Sequence, residues 1–334
     1  MRKFLLKLTA FAAVLVVVLS LCELGFRLKP TAFKDKYEGL EKYAPEIEIL
    51  ALGHSHANEG FDTKQFDHRA YNMALGFQNV YFDDFILSKF IDRMDSLKCV
   101  VIATSYYHFF NPIPELKDMG GENLFNTIKF HLYWGVDEIR GRKISKLNPE
   151  YNLEILNNPA SAWIAMAKYY LTGEAWSKER ISARNEYLKY GFSGQYVEHD
   201  EAFLDADGLK TALAHTPSRD ENRTFDGSFN YSHYEHIVKK CAEKGVKVAI
   251  MLYPTWHTYQ ENVYARQLAE TRHLMAQLAE EYSNCMVFDY MDDTRFEPHD
   301  FHDAIHLNAY GAEKMSAILN EKLISVNDIA DEPK

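Results

Sequence analysis

The chain has little cysteine. Only four of its 334 residues are cysteines, namely Cys22, Cys99, Cys241 and Cys285. They lie far apart, form no CxxC pair and show no disulfide-rich spacing. A hydrophobic core must therefore hold the folded part together. Buried free thiols are the expected state of the last three.

Basic residues are also scarce. The chain carries 37 Lys and Arg against 48 Asp and Glu, a formal charge of −11. This balance argues against nucleic acid as a partner, because phosphate binding needs a cationic face. The charge is unevenly spread: residues 1–30 hold five basic side chains against one acidic one. That segment is therefore +4 and the remainder is −15.

Internal repeats and low-complexity tracts are absent from the sequence. Apolar residues make up 47% and charged residues 25%, which is ordinary globular composition and excludes a disordered or collagen-like chain. The length suits one large domain with an insertion, or two modest domains.

One long hydrophobic run opens the chain. Arg2, Lys3 and Lys7 precede residues 8–22, in which only two residues are polar. With the apolar residues just before it, the run approaches the roughly 18–20 residues that span a hydrocarbon core. We predict an uncleaved signal anchor at 1–30, single-pass, with its N-terminus in the cytoplasm. Signal cleavage, or lipidation at Cys22, is the second interpretation, and either one exports the rest of the chain.

The exported part alternates between strand and helix patterns. Short, continuously apolar runs predict strands, and amphipathic segments between them predict helices. Such alternation implies right-handed crossovers and a parallel sheet with helices on both faces, so the predicted fold class is α/β. The predicted strands are 46–53, 70–75, 99–104, 246–253 and 285–290. The predicted helices are 79–97, 234–243, 259–282 and 309–323.

A segment at about 111–231 interrupts this alternation. It is rich in Trp and Tyr, and we predict helices near 160–172 and 177–190 within it. We interpret it as an insertion that covers the carboxyl edge of the sheet, where open α/β sheets bind ligands. A purely structural subdomain is the alternative. The residues after Val326 form a loose polar tail in this interpretation, so the α/β domain spans 31–326 and the tail 327–334.

Two short motifs lie at the ends of the first and last α/β units. The first is LGHSH at 52–56, where a tight turn after a strand can present the hydroxyl of Ser55. The second is DAIHLN at 303–308, where Asp303 and His306 can face one pocket and Asn308 can cap the following helix. A histidine can take the proton from a serine while an aspartate orients the imidazole. Their joint placement predicts a Ser-His-Asp site.

At these residues the sequence resembles the SGNH (GDSL-like) hydrolase superfamily, especially its membrane-anchored DltD-like and alginate O-acetylation-like branches. Gly53-His54-Ser55 stands where the family has Gly-Asp-Ser, and the run DAIH at 303–306 matches Asp-x-x-His. The segment NMALG at 72–76 is similar to the family's second block. The resemblance implies a three-layer, flavodoxin-like sandwich with a five-stranded parallel sheet.

The resemblance implies double displacement with Ser55 as nucleophile, His306 as base and Asp303 steadying the imidazolium. The backbone N–H groups of Ser55 and Gly76 would hold the oxyanion. This sequence departs from the family's third block, because Ser105 stands near the position where the family has an Asn. Its hydroxyl is the candidate third donor. The family mechanism calls for no cofactor and no metal.

The resemblance and the predicted export together indicate a substrate class. They favour a serine esterase or O-acyltransferase acting on acyl esters, principally acetyl esters, of a cell-envelope polysaccharide. A membrane-bound O-acyltransferase that delivers the acyl group is the partner implied by the resemblance. The expected location is a bacterial-type cell membrane, with the catalytic domain periplasmic or extracellular. His257, which follows the fourth strand, is a candidate substrate contact or an exposed loop residue.

Two other functions fit some of the same residues. The pair His54 and His56 is the kind that binds a metal in a hydrolase, with His299, His302, Asp303 or His306 completing the site. An eight-stranded barrel of that class needs more regular βα units than the sequence shows. A catalytically inactive glycan-binding or assembly protein on the same fold is the remaining alternative.

Overall fold

A computed structural model describes residues 1–216 and 225–326 of the chain. These residues contain seven strands and fourteen α-helices, with short 3-10 turns and one π-helical turn between them. The strands are β1 Ile49–Leu52, β2 Ala70–Asn72, β3 Cys99–Thr104, β4 Glu138–Ile139, β5 Arg142–Lys143, β6 Lys247–Leu252 and β7 Cys285–Asp289. The helices are α1 Arg2–Leu28, α2 Ala32–Tyr43, α3 Ser55–Gly60, α4 Val80–Phe90, α5 Gly121–Lys129, α6 Pro149–Asn152, α7 Glu154–Asn157, α8 Ala160–Leu171, α9 Lys178–Tyr190, α10 Glu201–His215, α11 Ser228–Ala242, α12 His257–Asn262, α13 Ala265–Glu281 and α14 Ala309–Val326.

Five of these strands form one parallel sheet in the order β2-β1-β3-β6-β7. Leaving aside the small antiparallel hairpin β4-β5, this is the 2-1-3-4-5 order of a flavodoxin-like, doubly wound fold. Every pairing within the sheet is parallel, from Ile49 beside Ala70 to Leu252 beside Asp289. The predicted α/β class with a five-stranded parallel sheet is therefore confirmed.

The strands of the sheet are buried because helices cover both faces. All residues of β1, β2 and β3 are buried, as expected for the largely apolar strands of a parallel sheet. Strand β7, at one edge, is less buried in its middle. All the strands point the same way, so the loops that follow them meet along a single edge of the sheet.

Several element boundaries differ from the predicted ones. Strand β2 ends at Asn72 instead of residue 75, because the Asn72 side chain binds the backbone: its Nδ2 donates to the carbonyls of Ala57 and Phe61, at 2.7 and 3.0 Å. Its Oδ1 accepts from the N–H of Ala74 at 3.1 Å, which takes that group away from the sheet.

The predicted helix 259–282 is two helices. The chain is extended at Val263 and Tyr264 between α12 and α13, and the Val263 side chain is buried there. Neither Gly nor Pro marks this break, and the hydrophobic periodicity continues across it. The sequence pattern therefore predicts one helix where the structure has two. The helix predicted at 79–97 is also shorter in the structure. The α-helix ends at Phe90, and a 3-10 turn follows it as far as Arg93.

The chain divides into two compact units. One comprises Met1–Asp35 and Pro114–Glu186, and the other comprises Lys36–Ile113 and Tyr187–Lys334. The first unit thus joins the N-terminal helix to most of the segment predicted as an insertion at about 111–231. The end of that segment, including α10, belongs with the sheet. The predicted tail at 327–334 lies outside the described residues.

The first unit contains α1, α5 to α8 and most of α9. Trp134 is fully buried, and its indole N–H donates to the carbonyl of Phe33 at 2.9 Å. The buried Lys129 ammonium pairs with Glu154. Among the described residues, α1 is the one helix long and apolar enough to cross a membrane, and its apolar stretch is not buried inside the protein. That length and composition suit a membrane anchor and a signal sequence alike.

The cysteines agree with the sequence analysis. All four are free thiols, and Cys99, Cys241 and Cys285 are buried. Burial raises the pKa of the Cys99 thiol to about 12, so it stays protonated and unreactive at neutral pH. The expectation that these three are buried free cysteines is confirmed.

Gly53, directly after β1, occupies a position that excludes other residues. Its φ is +107°, and a Cβ there would lie 2.6 Å from the carbonyl oxygen of Ala103. We expect Gly53→Ala to destabilise the protein by about 1–3 kcal/mol from backbone strain alone, and by more through the clash. Thermal unfolding of the full chain measures this.

Gly120→Ala is the matched control, because nothing lies within 4 Å of the Cβ it would add and no positive φ is required there. Equal melting temperatures for the two variants would contradict the close approach of Gly53 to β3.

Candidate active site

The turn after β1 presents Ser55. Gly53 lets the chain pass close to β3, and His54 then caps the short helix α3, with its Nδ1 accepting from the N–H of His56 at 3.4 Å. Ser55 is the first residue of that helix. Its hydroxyl therefore stands at the carboxyl edge of the sheet, where a doubly wound fold binds ligands.

The loop before α14 presents His306. The N–H of His302 donates to the carbonyl of His306 at 2.9 Å, which closes a tight loop around Asp303. Asn308 fixes its end: its Oδ1 accepts from the N–H of Gly311 at 3.1 Å and so caps α14. From α10, Asp207 accepts from the N–H of Ala304 at 3.1 Å and braces the loop.

These two segments bring three side chains into one hydrogen-bonded chain. The Ser55 Oγ lies 2.7 Å from Nε2 of His306. Nδ1 of the same ring lies 2.8 Å from Oδ2 and 3.0 Å from Oδ1 of Asp303. Such an arrangement can move a proton from a serine hydroxyl to an imidazole that a carboxylate holds in orientation.

The charges around His306 favour its protonated form. Burial lowers its pKa, but the hydrogen bond and charge of Asp303, together with the charges of Glu59 and Asp207, outweigh burial and raise the pKa above 6.5. Burial likewise works to raise the pKa of Asp303, yet His306 and the N–H of Ile305 bring it down to about 2. Asp303 is therefore ionised, and His306 is the basic group of the site.

Four further histidines surround this one and are held neutral. Burial, followed by the neighbouring histidines, lowers the pKa of His54 and of His56 well below 6.5. Burial and His215 lower the pKa of His108 to about 3, and burial and His306 lower that of His215 to about 4. A proton entering this cluster therefore settles on His306.

The neutral histidines form a packed group beside Ser55. The ring centroid of His54 lies 3.8 Å from that of His108 and 4.5 Å from that of His56. The His56 ring meets the His306 ring edge-on at 5.3 Å. Within the described residues, Nε2 of His54 and Nδ1 of His56 are buried without a hydrogen-bond partner.

The predicted oxyanion donors follow three different strands, β1, β2 and β3. The N–H of Ser55 is in the first turn of α3, where backbone donors have no partner within the helix. Gly76 lies in the turn after β2, next to Leu75, whose N–H donates to the carbonyl of Gly53 at 3.3 Å. The hydroxyl of Ser105 follows β3 and lies 3.2 Å from Nδ1 of His108.

Asp83 of α4 ties two of these loops together. Its Oδ1 accepts from the N–H of Gly53 at 2.9 Å and from the Gln78 side chain at 2.5 Å. The carboxyl is 1% exposed, and burial raises its pKa to about 7 although both hydrogen bonds act to lower it. Asp83 therefore holds the turn that carries Ser55 next to the turn that carries Gly76.

The side chains of the other candidate residues lie next to carboxylates outside the triad. His257 is half-exposed, and its ring nitrogens lie 3.4 and 3.6 Å from carboxylate oxygens of Asp205 and Glu261. His299 pairs with Glu198 at 3.2 Å, and His302 pairs with Glu59 at 3.4 Å. Over residues 1–216 and 225–326, no group of three or more His, Cys, Asp or Glu side chains is arranged to hold a metal ion.

Sequence reasoning missed His108, His215, Asp83 and Asp207. These four residues come from different parts of the chain and meet only in the folded structure. None of them belongs to a recognisable sequence motif. The run SYYH at 105–108 after β3 was the one available signal, because polar groups at a strand's carboxyl end point toward the ligand edge.

Comparisons with known proteins find resemblance in structure alone. No family model matches the chain, and no curated protein matches it in sequence. A Streptococcus pneumonia protein provisionally named a platelet activating factor aligns over 94% of this chain and 99% of its own, with a TM-score of 0.41 and 11% identity. A Bacteroides fragilis protein provisionally named an acylhydrolase aligns over 89% and 98%, with a TM-score of 0.41 and 10% identity. The geometry of the site therefore carries the functional argument.

Activity should depend on pH through His306. The base must be neutral, so kcat/KM should fall as the pH drops below the raised pKa of His306. Asp303→Asn removes the carboxylate that contributes most to raising this pKa, so the acid limb should move to lower pH. The plateau kcat should fall by about 10⁴-fold, because the imidazole loses its orientation. A pH–rate profile of both proteins measures these changes.

Glu59→Gln is the matched control for that profile. It removes one of the smaller raising charges and leaves the triad hydrogen bonds in place. We expect a small shift of the acid limb in the same direction, with kcat kept. An acid limb that stays fixed in both variants would exclude His306 as the titrating base.

Asp83 should affect rate more than binding. Asp83→Ala leaves the N–H of Gly53 unpaired and frees the turn, and a small displacement of a nucleophile costs up to about 10²-fold in rate. We expect kcat to fall by about 10–10²-fold with KM nearly unchanged. Asp83→Asn keeps an acceptor for Gly53 and should restore most of kcat. If both variants lost activity only in proportion to lost folded protein, the positioning role would be wrong.

Proposed function

We propose that this protein is a serine esterase or O-acyltransferase that works through an acyl-Ser55 intermediate. The observation that supports this most directly is the hydrogen-bonded chain from Ser55 through His306 to Asp303, with a Ser55 Oγ to His306 Nε2 distance of 2.7 Å. A buried imidazole beside a serine hydroxyl, oriented by an ionised carboxylate, is the arrangement that nucleophilic acyl transfer requires.

In the first half of the proposed reaction, Ser55 Oγ attacks the carbonyl carbon of an ester. Its proton passes to Nε2 of His306, and the positive ring is stabilised by Asp303. The tetrahedral intermediate collapses when His306 returns the proton to the leaving alkoxide, which departs as an alcohol. Ser55 is then left as an ester.

In the second half, His306 takes a proton from the acceptor, whose oxygen attacks the acyl carbon of the acyl-Ser55 ester. The bond from that carbon to Ser55 Oγ breaks, His306 returns the proton to Oγ, and the acyl group leaves on the acceptor. Water as the acceptor gives hydrolysis, and a sugar hydroxyl gives acyl transfer. We assign the N–H groups of Ser55 and Gly76 to the developing oxyanion. Loss of one such donor costs about 10²–10³-fold in kcat, which makes their placement by Asp83 important.

For the biological substrate we propose an acyl ester, principally acetyl, of a cell-envelope polysaccharide. Two features support this assignment: the apolar helix α1, which suits a membrane anchor, and the resemblance of the site motifs to membrane-anchored SGNH proteins. We place the catalytic unit on the periplasmic or extracellular side of a bacterial-type membrane. A membrane-bound O-acyltransferase that supplies the acyl group is the proposed partner.

Incubation of the full chain with a small activated acetyl ester tests the proposal. We expect ester cleavage and a trapped acetyl group that peptide mass spectrometry maps to Ser55, because only this hydroxyl adjoins His306 in the described residues. Ser55→Ala should lose both. Ser232→Ala, which alters an exposed hydroxyl bonded to the carbonyl of Phe229, should keep both.

Chelation provides the complementary measurement. Activity that survives a chelator and disappears in Ser55→Ala supports the serine mechanism, whereas activity that a chelator abolishes favours the metal-dependent alternative. Hydrolysis or glycan acylation that persists in Ser55→Ala would refute the proposal. Adding an oligosaccharide acceptor distinguishes a transferase from an esterase, because a transferase acylates the sugar in competition with water.

A further inference from the structure

Helix α8 of the first unit is largely apolar, yet seven of its twelve residues are exposed. Its sequence, ASAWIAMAKYYL, holds one charge, at Lys168, and Met166 is its one buried residue. Ile164 is 70% exposed and Leu171 is 86% exposed. Trp176, in the turn that follows, is 69% exposed. An apolar helix surface in water is costly, so a partner that covers it is expected.

The same helix packs against the end of α1. The rings of Trp163 and Phe26 meet edge-on at 5.0 Å. The Tyr170 hydroxyl donates to the carbonyl of Gly25 at 3.0 Å, and a Cβ on Gly25 would lie 3.0 Å from the sulfur of Met166. A glycine at this point of α1 therefore allows α8 to lie close against it.

The contact falls where α1 would leave a bilayer. Residues 4–22 of a helix span about 28 Å, close to the thickness of a hydrocarbon core. Glu23 follows, paired with Arg27 at 2.6 Å and accepting from the N–H of Ile155 at 3.0 Å, so polar contacts begin there. Gly25 lies half a turn further on, which places α8 at the depth of the lipid headgroups.

The side chains of α8 and its flanks suit that depth. Trp and Tyr are enriched at membrane interfaces because an apolar ring there can keep its polar atom in water. Trp163, Tyr169, Tyr170 and Trp176 provide four such rings within fourteen residues. The Nζ of Lys29 lies 5.9 Å from the ring centroid of Tyr169, so a cation accompanies the aromatic group.

One of the nearby acidic side chains, that of the partly buried Glu174, is paired with basic ones. Glu174 pairs with Arg180 at 3.2 Å and with Lys168 at 3.8 Å. This removes the repulsion that a lone carboxylate would meet at an anionic lipid surface. Lys168 itself can reach outward to the headgroups while its methylene chain stays among apolar neighbours.

We propose that the α8 surface, defined as Ile164, Leu171 and Trp176, inserts into the lipid interface on the side of the bilayer where α1 ends. The first unit would then be anchored to the membrane by two helices, α1 spanning the bilayer and α8 lying in the plane of the interface. This inference rests on α1 lying in a bilayer, as proposed above, and is independent of the chemistry at Ser55.

Quenching of tryptophan fluorescence by brominated phosphatidylcholine tests this on the full chain in nanodiscs. The chain has four tryptophans, of which Trp134 is fully buried and Trp256, in the second unit, is 8% exposed. If Trp176 lies among lipids, Trp176→Phe should lower the quenched fraction of the total emission. Trp256→Phe is the matched control and should raise that fraction, because it removes an emitter that the lipid does not reach.

Three more variants test the inference separately from its premise that α1 lies in a bilayer. Val14→Trp places an emitter in α1, so strong added quenching there supports the anchor and its absence overturns both the anchor and the α8 surface. Leu171→Asp should expel the α8 surface from lipid and reduce the quenched fraction to the level of Trp176→Phe. Leu213→Asp, which changes an exposed leucine of α10, should leave it unchanged.

The inference fails if Val14→Trp is quenched while Trp176→Phe leaves the quenched fraction the same or higher. It also fails if Trp176 emission shifts to shorter wavelength only as protein concentration rises, because a second copy of the chain would then cover the surface. Loss of esterase activity in any of these variants does not enter the test, and retention of quenching in Ser55→Ala is expected.

Discussion

The hydrogen bond between Ser55 and His306 joins two residues that are 251 positions apart in the chain, and the proposed chemistry depends on it. Both lie in loops at the carboxyl edge of one parallel sheet, so the strand order β2-β1-β3-β6-β7 is what lets them meet. The close approach of Gly53 to Ala103 fixes one loop. Asp207 braces the other through the N–H of Ala304.

The surroundings of this bond control where a proton can reside. Four other histidines lie near Ser55 and His306, but burial keeps their pKa values low, and of these five described rings His306 alone has a carboxylate against it. One acidic partner therefore distinguishes the base from its neighbours. The buried carboxyl of Asp83, behind the nucleophile turn, contributes hydrogen bonds to Gly53 and Gln78, which is a structural task separate from proton transfer.

Much of the scaffold could be predicted because the strands are short apolar runs bounded by clear turns. Strand β3 occupies the residues expected for it, and the helices α8 and α9 begin and end within about one residue of the expected positions. The misjudged boundaries have local causes that periodicity cannot detect. The Asn72 side chain ends β2 early by binding backbone groups of α3, and the buried Val263 divides one expected helix into two.

The sequence by itself determined the fold class, the apolar N-terminal segment and the three residues that the structure joins at Ser55, because each of these is written in local patterns of apolar residues or in short motifs. Only the tertiary structure decided that His257 lies on the surface, that Ser105 bonds to His108, and that α8 exposes its apolar side beside the end of α1. Those outcomes depend on burial and on distances between remote segments. A pattern along one stretch of chain contains neither quantity.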